Sequence, residues 1–308
     1  MLAASTIPFS GWLRSALAAE AQRFLFADGE RVVDFRTPEN EPALCEPHSV
    51  SWQVFKNPVT LFIGGVAAVV LELAEPRVRT GVWEHTSFRA DPVRRLRRTG
   101  LAAMMTVYGP RSRAEAMIAG VRRMHAQVKG TTPIGNPYSA DDPELLDWVQ
   151  ATASFGFVDA YRHFARPLSP DDSARYYTEG AAAASLYGAR GAPRSAAEME
   201  ALFVRMAPKL EPSPIIFEFL TIMRRAAVLP RATRALQDTL VRAGVDMVPR
   251  WARDRLQLGH RWGLNHWERR LVRAAAAVVD RMPLDGSPPV EACLRLGLPP
   301  DFLYRRQG

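Results

Sequence analysis

The stretch VTLFIGGVAAVVL, residues 59–71, is the most hydrophobic part of the chain and ends at Glu72. A helix that crosses a bilayer needs roughly 20 apolar residues. This stretch is too short, so we interpret it as a buried helix and expect no transmembrane segment.

Downstream of this stretch, four helix starts are marked by a proline that follows Asp or Ser. Proline is tolerated at the first helical position, and the side chain before it can accept a hydrogen bond from an exposed amide. The pairs are Asp91-Pro92, Asp142-Pro143, Ser169-Pro170 and Ser213-Pro214. Strand signals are scarce, so we predict an all-α fold with helices near 59–75, 92–108, 112–129, 143–165, 170–187, 196–207, 214–228, 231–247 and 264–281.

The length of 308 residues and the apolar content of 47% suit one large helical domain. Residues 1–50 are expected to form an N-terminal lead-in, and the proline-rich and charged segment 30–58 looks extended. We assign residues 51–230 to a helical core and residues 231–308 to a C-terminal helical extension packed on that core.

Arginine supplies almost all of the net charge of +8, because lysine occurs only at Lys56, Lys129 and Lys209. Nucleic-acid-binding proteins concentrate basic residues on one stripe or arm, with aromatic residues interleaved. Here the arginines are spread along the chain and mixed with carboxylates. The densest group, which interrupts an apolar helical pattern, consists of Arg94, Arg95, Arg97 and Arg98. We therefore expect no nucleic-acid partner.

Two cysteines, Cys45 and Cys293, do not form a CxxC motif or a disulfide framework. A reducing compartment is the simplest explanation. The N-terminus has no basic region before a long apolar run, as a secretory signal would. A cytoplasmic location is the expectation.

Several common catalytic and binding motifs are missing from the sequence. There is no HExxH zinc motif, no GxxxxGK[ST] or GxGxxG phosphate loop, no GxSxG elbow and no CxxCH haem attachment. None of the six histidines follows a glutamate by three residues, as a di-iron bundle requires.

The remaining candidate site lies on the two helices that flank Tyr108-Gly109-Pro110. In the second helix, apolar residues recur at helical spacing, and His125 lies on the same stripe. The side chain of His125 is therefore predicted to point into the core. It is either a metal or cofactor ligand, or a buried imidazole hydrogen-bonded to a carbonyl or carboxylate. The stripe consists of Ala114, Met117, Val121, Met124 and Val128.

On the first helix, Arg95 and Thr99 are one turn apart and share a face that continues through Ala102 and Thr106. This pair can salt-bridge a carboxylate and hydrogen-bond a small ligand. The alternative is a solvated arginine edge without a ligand.

The segment GVWEHTSF, residues 81–88, precedes this first helix and contains Glu84 and His85. We expect a loop here. It either supplies a second polar group to the site, with His85 as a catalytic candidate, or caps neighbouring helices.

Taken together, these motifs resemble the family that contains fungal MpaB oxygenases and bacterial latex-clearing proteins. The similarity spans roughly residues 51–203. It rests on Gly64-Gly65, Glu75-Pro76, GVWEHTSF at 81–88, DPVRRLRRT at 91–99, Tyr108-Gly109, MHAQVKG at 124–130, PYSADDPELLDWV at 137–149 and YYTE at 176–179.

The resemblance implies a helix bundle that encloses a non-covalent haem b, with His125 matching the histidine that ligates the iron. Arg95 and Thr99 match the arginine and threonine of the family's haem-pocket helix, where they would polarise dioxygen. One of Arg94, Arg95 and Arg98 would pair with a haem propionate. The implied function is a haem-dependent oxygenase whose partners are dioxygen and a hydrophobic, unsaturated substrate. Iron would carry the oxygen chemistry, while the protein supplies axial ligation and pocket polarity.

Three positions depart from relatives in the family. Arg98 stands where latex-clearing proteins carry lysine, so a lysine-ligated closed state is not expected. Glu75 and Gln150 stand where many relatives carry histidine. These changes keep two alternatives open, namely a haem- or small-ligand-binding protein without turnover and a haem-free helical interaction protein.

Overall fold

The computed structural model describes residues 33–227 and 231–305. Within these ranges the chain forms 13 α-helices in one domain, beside a single hairpin of strands β1 (Lys129–Thr131) and β2 (Pro137–Ser139). The all-α prediction is confirmed. In chain order the helices are α1 (Val50–Phe55), α2 (Pro58–Glu72), α3 (Pro76–His85), α4 (Pro92–Tyr108), α5 (Arg111–His125), α6 (Pro143–Ala160), α7 (Pro170–Tyr187), α8 (Ala196–Met206), α9 (Pro214–Arg225), α10 (Gln237–Met247), α11 (Arg250–Arg255), α12 (His266–Val279) and α13 (Pro288–Arg295).

All four predicted proline-marked helix starts are present, and each cap side chain accepts a backbone hydrogen bond. Asp91 caps α4, Asp142 caps α6, Ser169 caps α7 and Ser213 caps α9. Helix α2 begins in the same way, because Asn57 Oδ1 accepts from the amides of Val59 and Thr60. These caps satisfy amides that a helix cannot pair internally.

Helix α2 lies at the centre of the domain, where its backbone touches two other helices. A Cβ atom added to Gly64 would lie 2.5 Å from the carbonyl oxygen of Gly156 on α6, and a Cβ on Gly156 would meet Gly64 in return. On α10, a Cβ on Gly244 would lie 2.6 Å from Cβ of Val66. Glycine permits this close approach because it has no side chain.

Buried polar contacts fix the turn between α4 and α5. Trp52 Nε1 donates to the carbonyl of Val107 at 3.1 Å, and Tyr108 Oη donates to the carbonyl of Trp52 at 2.6 Å. The buried guanidinium of Arg295 donates to the carbonyls of Tyr108 and Phe35. Because an unpaired buried guanidinium would be costly, these bonds hold the turn in one position.

Two boundaries in the first third differ from the predictions. Residues 50–55 form helix α1 instead of continuing an extended segment, because burial of Trp52 compensates for the proline-rich context. The predicted helix 59–75 ends at Glu72, and a new helix starts at Pro76, so half of GVWEHTSF is helical. The part of the predicted lead-in before residue 33 lies outside the described residues.

The start of the predicted helix 231–247 is also different. Residues 231–236 form a 3₁₀ helix, and α10 begins only at Gln237.

No single described helix is long and apolar enough to cross a bilayer. Helices α2 and α3 reach that length and composition only as a pair, and they meet at a bend of 111°.

The glycine contact between α2 and α6 predicts opposite effects at two neighbouring positions. Gly64→Ala should lower the free energy of unfolding by about 1–3 kcal/mol, because its methyl group would meet the backbone of α6. Gly65→Ala is the matched control. Nothing lies within 4 Å of its Cβ position, so helix propensity should leave it neutral or up to about 1 kcal/mol more stable. Urea unfolding of both variants measures the difference, and a Gly64→Ala protein as stable as Gly65→Ala would contradict the contact.

Candidate functional site

His125 is the last residue of α5, and its side chain is half-buried. Four residues of the predicted stripe, namely Ala114, Met117, Val121 and Val128, are buried or half-buried. The prediction is wrong at Met124, which is 50% exposed, and it missed Ile118, which is buried. The inward face runs through Ala114, Ile118 and Val121 to His125, which are spaced three or four residues apart, as expected for one face of a helix. The prediction that His125 points inward is nevertheless consistent with this face.

The imidazole of His125 is neutral and incompletely paired. Its Nδ1 is buried and has no hydrogen-bond partner among the described residues. Burial lowers the pKa of His125, the positive charge of Arg95 lowers it further, and Asp141 opposes both. A neutral imidazole keeps a nitrogen lone pair available. The alternative prediction was a buried imidazole hydrogen-bonded to a carbonyl or carboxylate. No such bond to Nδ1 is present among the described residues.

Arg95 and Thr99 touch each other on α4, as their spacing predicts. Arg95 Nη1 donates to Thr99 Oγ1, and Thr99 Oγ1 also lies 3.0 Å from the carbonyl oxygen of Arg95. Arg95 is half-buried and Thr99 is exposed, so the pair extends from the interior towards solvent. Burial lowers the pKa of Arg95, partly offset by the negative charge of Glu72.

Glu72, the residue that ends the apolar stretch, is the acidic member of this group. Burial raises the pKa of its carboxyl to about 7, although the charge of Arg95 and a hydrogen bond from Thr152 oppose the shift. Thr152 Oγ1 lies 3.4 Å from Glu72 Oε1. In the sequence, Glu72 is recognisable only as the carboxylate that ends the apolar stretch, and nothing there predicts it as a site residue. Glu72 can hold or release a proton near neutral pH.

A groove of about 460 Å³ opens beside His125, between the end of α5, the start of α6 and the end of α7. This volume lies within the usual range of ligand pockets. Tyr187 connects the groove to α4, because its hydroxyl lies 2.8 Å from Thr106 Oγ1. The residues that line the groove are Ala119, Arg122, Arg123, His125, Ala126, Asp141, Pro143, Leu146, Tyr187, Gly188 and Arg190.

Residues 52–281 match the family described as "ER-bound oxygenase mpaB/B'/Rubber oxygenase, catalytic domain". The chain belongs to this family. The match covers most of the sequence and extends beyond the residues that carried the resemblance.

Two mycobacterial relatives are similar over a shorter segment. An uncharacterized protein of Mycobacterium bovis and one of Mycobacterium tuberculosis are each 32% identical over 106 residues, which is 33% of this chain and 42% of each relative. The chain thus spans less than half the length of these curated relatives. No solved structure shows a significant match.

Three residues predicted for the haem site are exposed, whereas Arg95 and His125 are half-buried. Arg94 and Arg98 are exposed on α4. His85 is exposed at the end of α3, with its Nε2 lying 3.1 Å from Tyr138 Oη on β2. Among the three arginines predicted for a propionate, Arg95 is the one that is half-buried.

Two further positions have structural roles in this family member. Glu75 accepts from the amide of Val78 at 2.8 Å and from Arg77 Nε at 2.7 Å. It therefore caps α3. Trp148 is fully buried and its Nε1 donates to the carbonyl of Leu71 at 3.2 Å, so it belongs to the core.

The raised pKa of Glu72 predicts a pH-dependent stability difference. A carboxyl whose pKa is higher in the folded state than in the unfolded state favours folding while protonated, and this contribution is lost as pH rises through about 7. Glu72→Gln mimics the protonated form. Its free energy of unfolding should equal that of the wild type near pH 4 and exceed it by about 1–3 kcal/mol near pH 9.

Glu144→Gln serves as a control of opposite sign in the same urea titrations. Hydrogen bonds from Lys209 and Arg77 lower the pKa of Glu144, so the carboxylate stabilises the fold above its unfolded pKa. This variant should be less stable than wild type at neutral pH, by under about 1 kcal/mol because the carboxyl is partly exposed. The deficit should vanish in acid. A Glu72→Gln difference that stays constant from pH 4 to pH 9 would refute the buried, proton-holding carboxyl.

Proposed function

We propose that this protein is a haem-dependent oxygenase that acts on a hydrophobic, unsaturated substrate, with His125 as the iron ligand. The observation that carries the proposal is the buried, unpartnered Nδ1 of a neutral His125 in a member of an oxygenase family. The cofactor would be haem b, held without a covalent bond, and the co-substrate would be dioxygen.

The residues around His125 fit a haem. No group of three or more His, Cys, Asp or Glu side chains among residues 33–227 and 231–305 is placed to hold a bare metal ion. A porphyrin supplies four donors, so one histidine is sufficient. The neutral state of His125 is the form that ligates a metal, and His125 also lines the groove of about 460 Å³.

When bound, the haem supplies the activation of dioxygen. The chain supplies the polar surroundings. Arg95 brings a positive charge near His125 and orients the hydroxyl of Thr99. Glu72 retains a proton up to about pH 7 and lies close enough to Arg95 to feel its charge, so it would serve as a proton donor beside Arg95. The half-buried side chains of Leu96, Met104 and Met117 add apolar surface that suits a hydrophobic substrate.

One observation favours a second candidate, a haem- or small-ligand-binding protein without turnover. Glu75 stands where many relatives carry histidine, and its carboxylate is engaged in capping α3 and pairing with Arg77. If the histidine of those relatives serves proton transfer, that group is missing here. The two functions differ in whether the haem-loaded protein consumes dioxygen.

The ligand assignment predicts the absorption spectrum of haem-titrated protein. Wild type should develop a Soret band, whereas His125→Ala should lose more than about tenfold in haem affinity, or about 1.4 kcal/mol, and show a shifted band. His163→Ala is the matched control, because His163 Nδ1 already pairs with the carbonyl of Asp159 at 2.9 Å. An unchanged spectrum and affinity in His125→Ala would disprove the assignment, and a wild type that binds no haem would support the haem-free interaction protein.

Turnover is tested by dioxygen uptake with a long-chain alkene. Arg95→Gln and Thr99→Val should lower the rate by about 10²-fold each, because each removes a preorganised polar group. The Soret titration of Thr99→Val should stay close to that of wild type. Arg205→Gln, at an exposed position on α8, should keep the full rate. Haem binding without uptake in wild type would favour the non-catalytic candidate.

A further inference from the structure

The groove beside His125 contains a concentration of positive charge that neither the fold nor the proposed oxygen chemistry uses. Arg122 and Arg123, in the last turn of α5, and Arg190, in the loop after α7, all line it. We call this surface the arginine groove. All three arginines are exposed, and within residues 33–227 and 231–305 no hydrogen bond or ion pair engages their guanidinium groups.

Other arginines in the domain have structural roles, because their guanidinium groups pair with carboxylates. Arg77 contacts the carboxylates of Glu75 and Glu144 at 2.7 Å each, and Arg242 contacts Glu268. In the arginine groove the lining includes one carboxylate, Asp141, which accepts a hydrogen bond from Ser139. With a neutral His125, three positive charges and one negative charge leave the groove with two positive charges.

Local structure holds the loop of the arginine groove in place. Gly188 ends α7 with φ of 99°, a left-handed conformation that favours glycine, and turns the chain back towards α5. Asp147 Oδ1 then accepts from the amides of Arg190 and Gly191 at 2.7 and 2.8 Å. Arg190 is therefore presented on an anchored backbone.

Apart from Asp141 and His125, the other walls of the arginine groove are largely apolar. Alanine side chains of α5, Pro143 and Leu146 of α6 and the ring of Tyr187 form its walls. An apolar cleft with unpaired guanidinium groups fits a hydrophobic body that ends in carboxylates, because guanidinium binds carboxylate through paired hydrogen bonds. The position of His125 in the same lining places that body next to the proposed iron ligand.

We propose that the arginine groove binds the carboxylates of an amphipathic ligand whose apolar body lies against His125 and Tyr187. Two ligands share this chemistry. Haem b carries two propionates, which match the two excess positive charges; this source rests on the proposed function. A hydrophobic acid, as substrate, is the second source and does not require haem.

The test compares acids with their neutral esters in the variant Arg122→Gln/Arg190→Gln. The probes are haem b and haem dimethyl ester, followed by absorption, and dodecanoic acid and methyl dodecanoate, followed by calorimetry. Arg111→Gln, an exposed substitution at the start of the same helix, is the control. The esters also report on folding, because a misfolded variant would lose them together with the acids.

If propionates occupy the groove, the double variant binds haem b about tenfold or more weakly but binds the dimethyl ester as wild type does. If a hydrophobic acid occupies it, dodecanoate binding falls while haem b and the methyl ester are unaffected. The proposal is overturned if the double variant binds both acids with the same affinity as Arg111→Gln does. It is also overturned if the affinities for the acids and for the esters fall equally.

These outcomes separate the groove from the proposed function. A wild type that binds dodecanoate through the arginines but takes up no haem would retain the groove and refute the haem proposal. If both variants take up haem equally and neither binds dodecanoate, the proposed role of the arginine groove is refuted, whereas the haem proposal stands.

Discussion

The direct backbone contact between α2 and α6 is the constraint on which the rest of the domain depends. Gly64 and Gly156 leave no room for a side chain at the crossing, and Gly244 brings α10 equally close to α2 at Val66. Close-packed interiors tolerate little change in volume, so these glycines fix how the helices cross. The crossing also places Glu72, at the end of α2, beside Thr152 on α6. The apolar core helix α2 thereby positions the carboxyl group of Glu72 close to Arg95.

Burial is the common physical cause of the chemistry available there. It raises the pKa of Glu72 and lowers the pKa of Arg95 and of His125. In each case the neutral form gains, because a charged group loses hydration that its partners replace only in part. The result is a carboxyl that holds its proton near neutral pH and an imidazole that keeps its lone pair. The proposed roles of His125 and Glu72 both rest on this single effect.

The sequence was sufficient where local physics decides the structure, and insufficient where tertiary packing does. The caps at Asp91, Asp142, Ser169 and Ser213 are local and were predicted correctly. The inward orientation of His125 was inferred from helical periodicity, but the periodicity did not show that Ile118 is buried while Met124 is exposed. Helix α3 was missed because its cap is Glu75, a residue type that caps helices less often than Asp or Ser. Arg122 and Arg190 meet only after folding, so no sequence spacing pointed to the arginine groove. The role of Glu72 was also hidden, since its pKa depends on residues from three helices.

The central claim is a bond between His125 and haem iron, and resonance Raman spectroscopy of the ferrous, haem-loaded protein tests it most directly. Wild type should show an iron–nitrogen stretching band that shifts on iron-isotope substitution. His125→Gly should lack this band and regain an equivalent one when free imidazole fills the space of the missing side chain. An unchanged band in His125→Gly without imidazole would show that another residue ligates the iron and would contradict the assignment of His125.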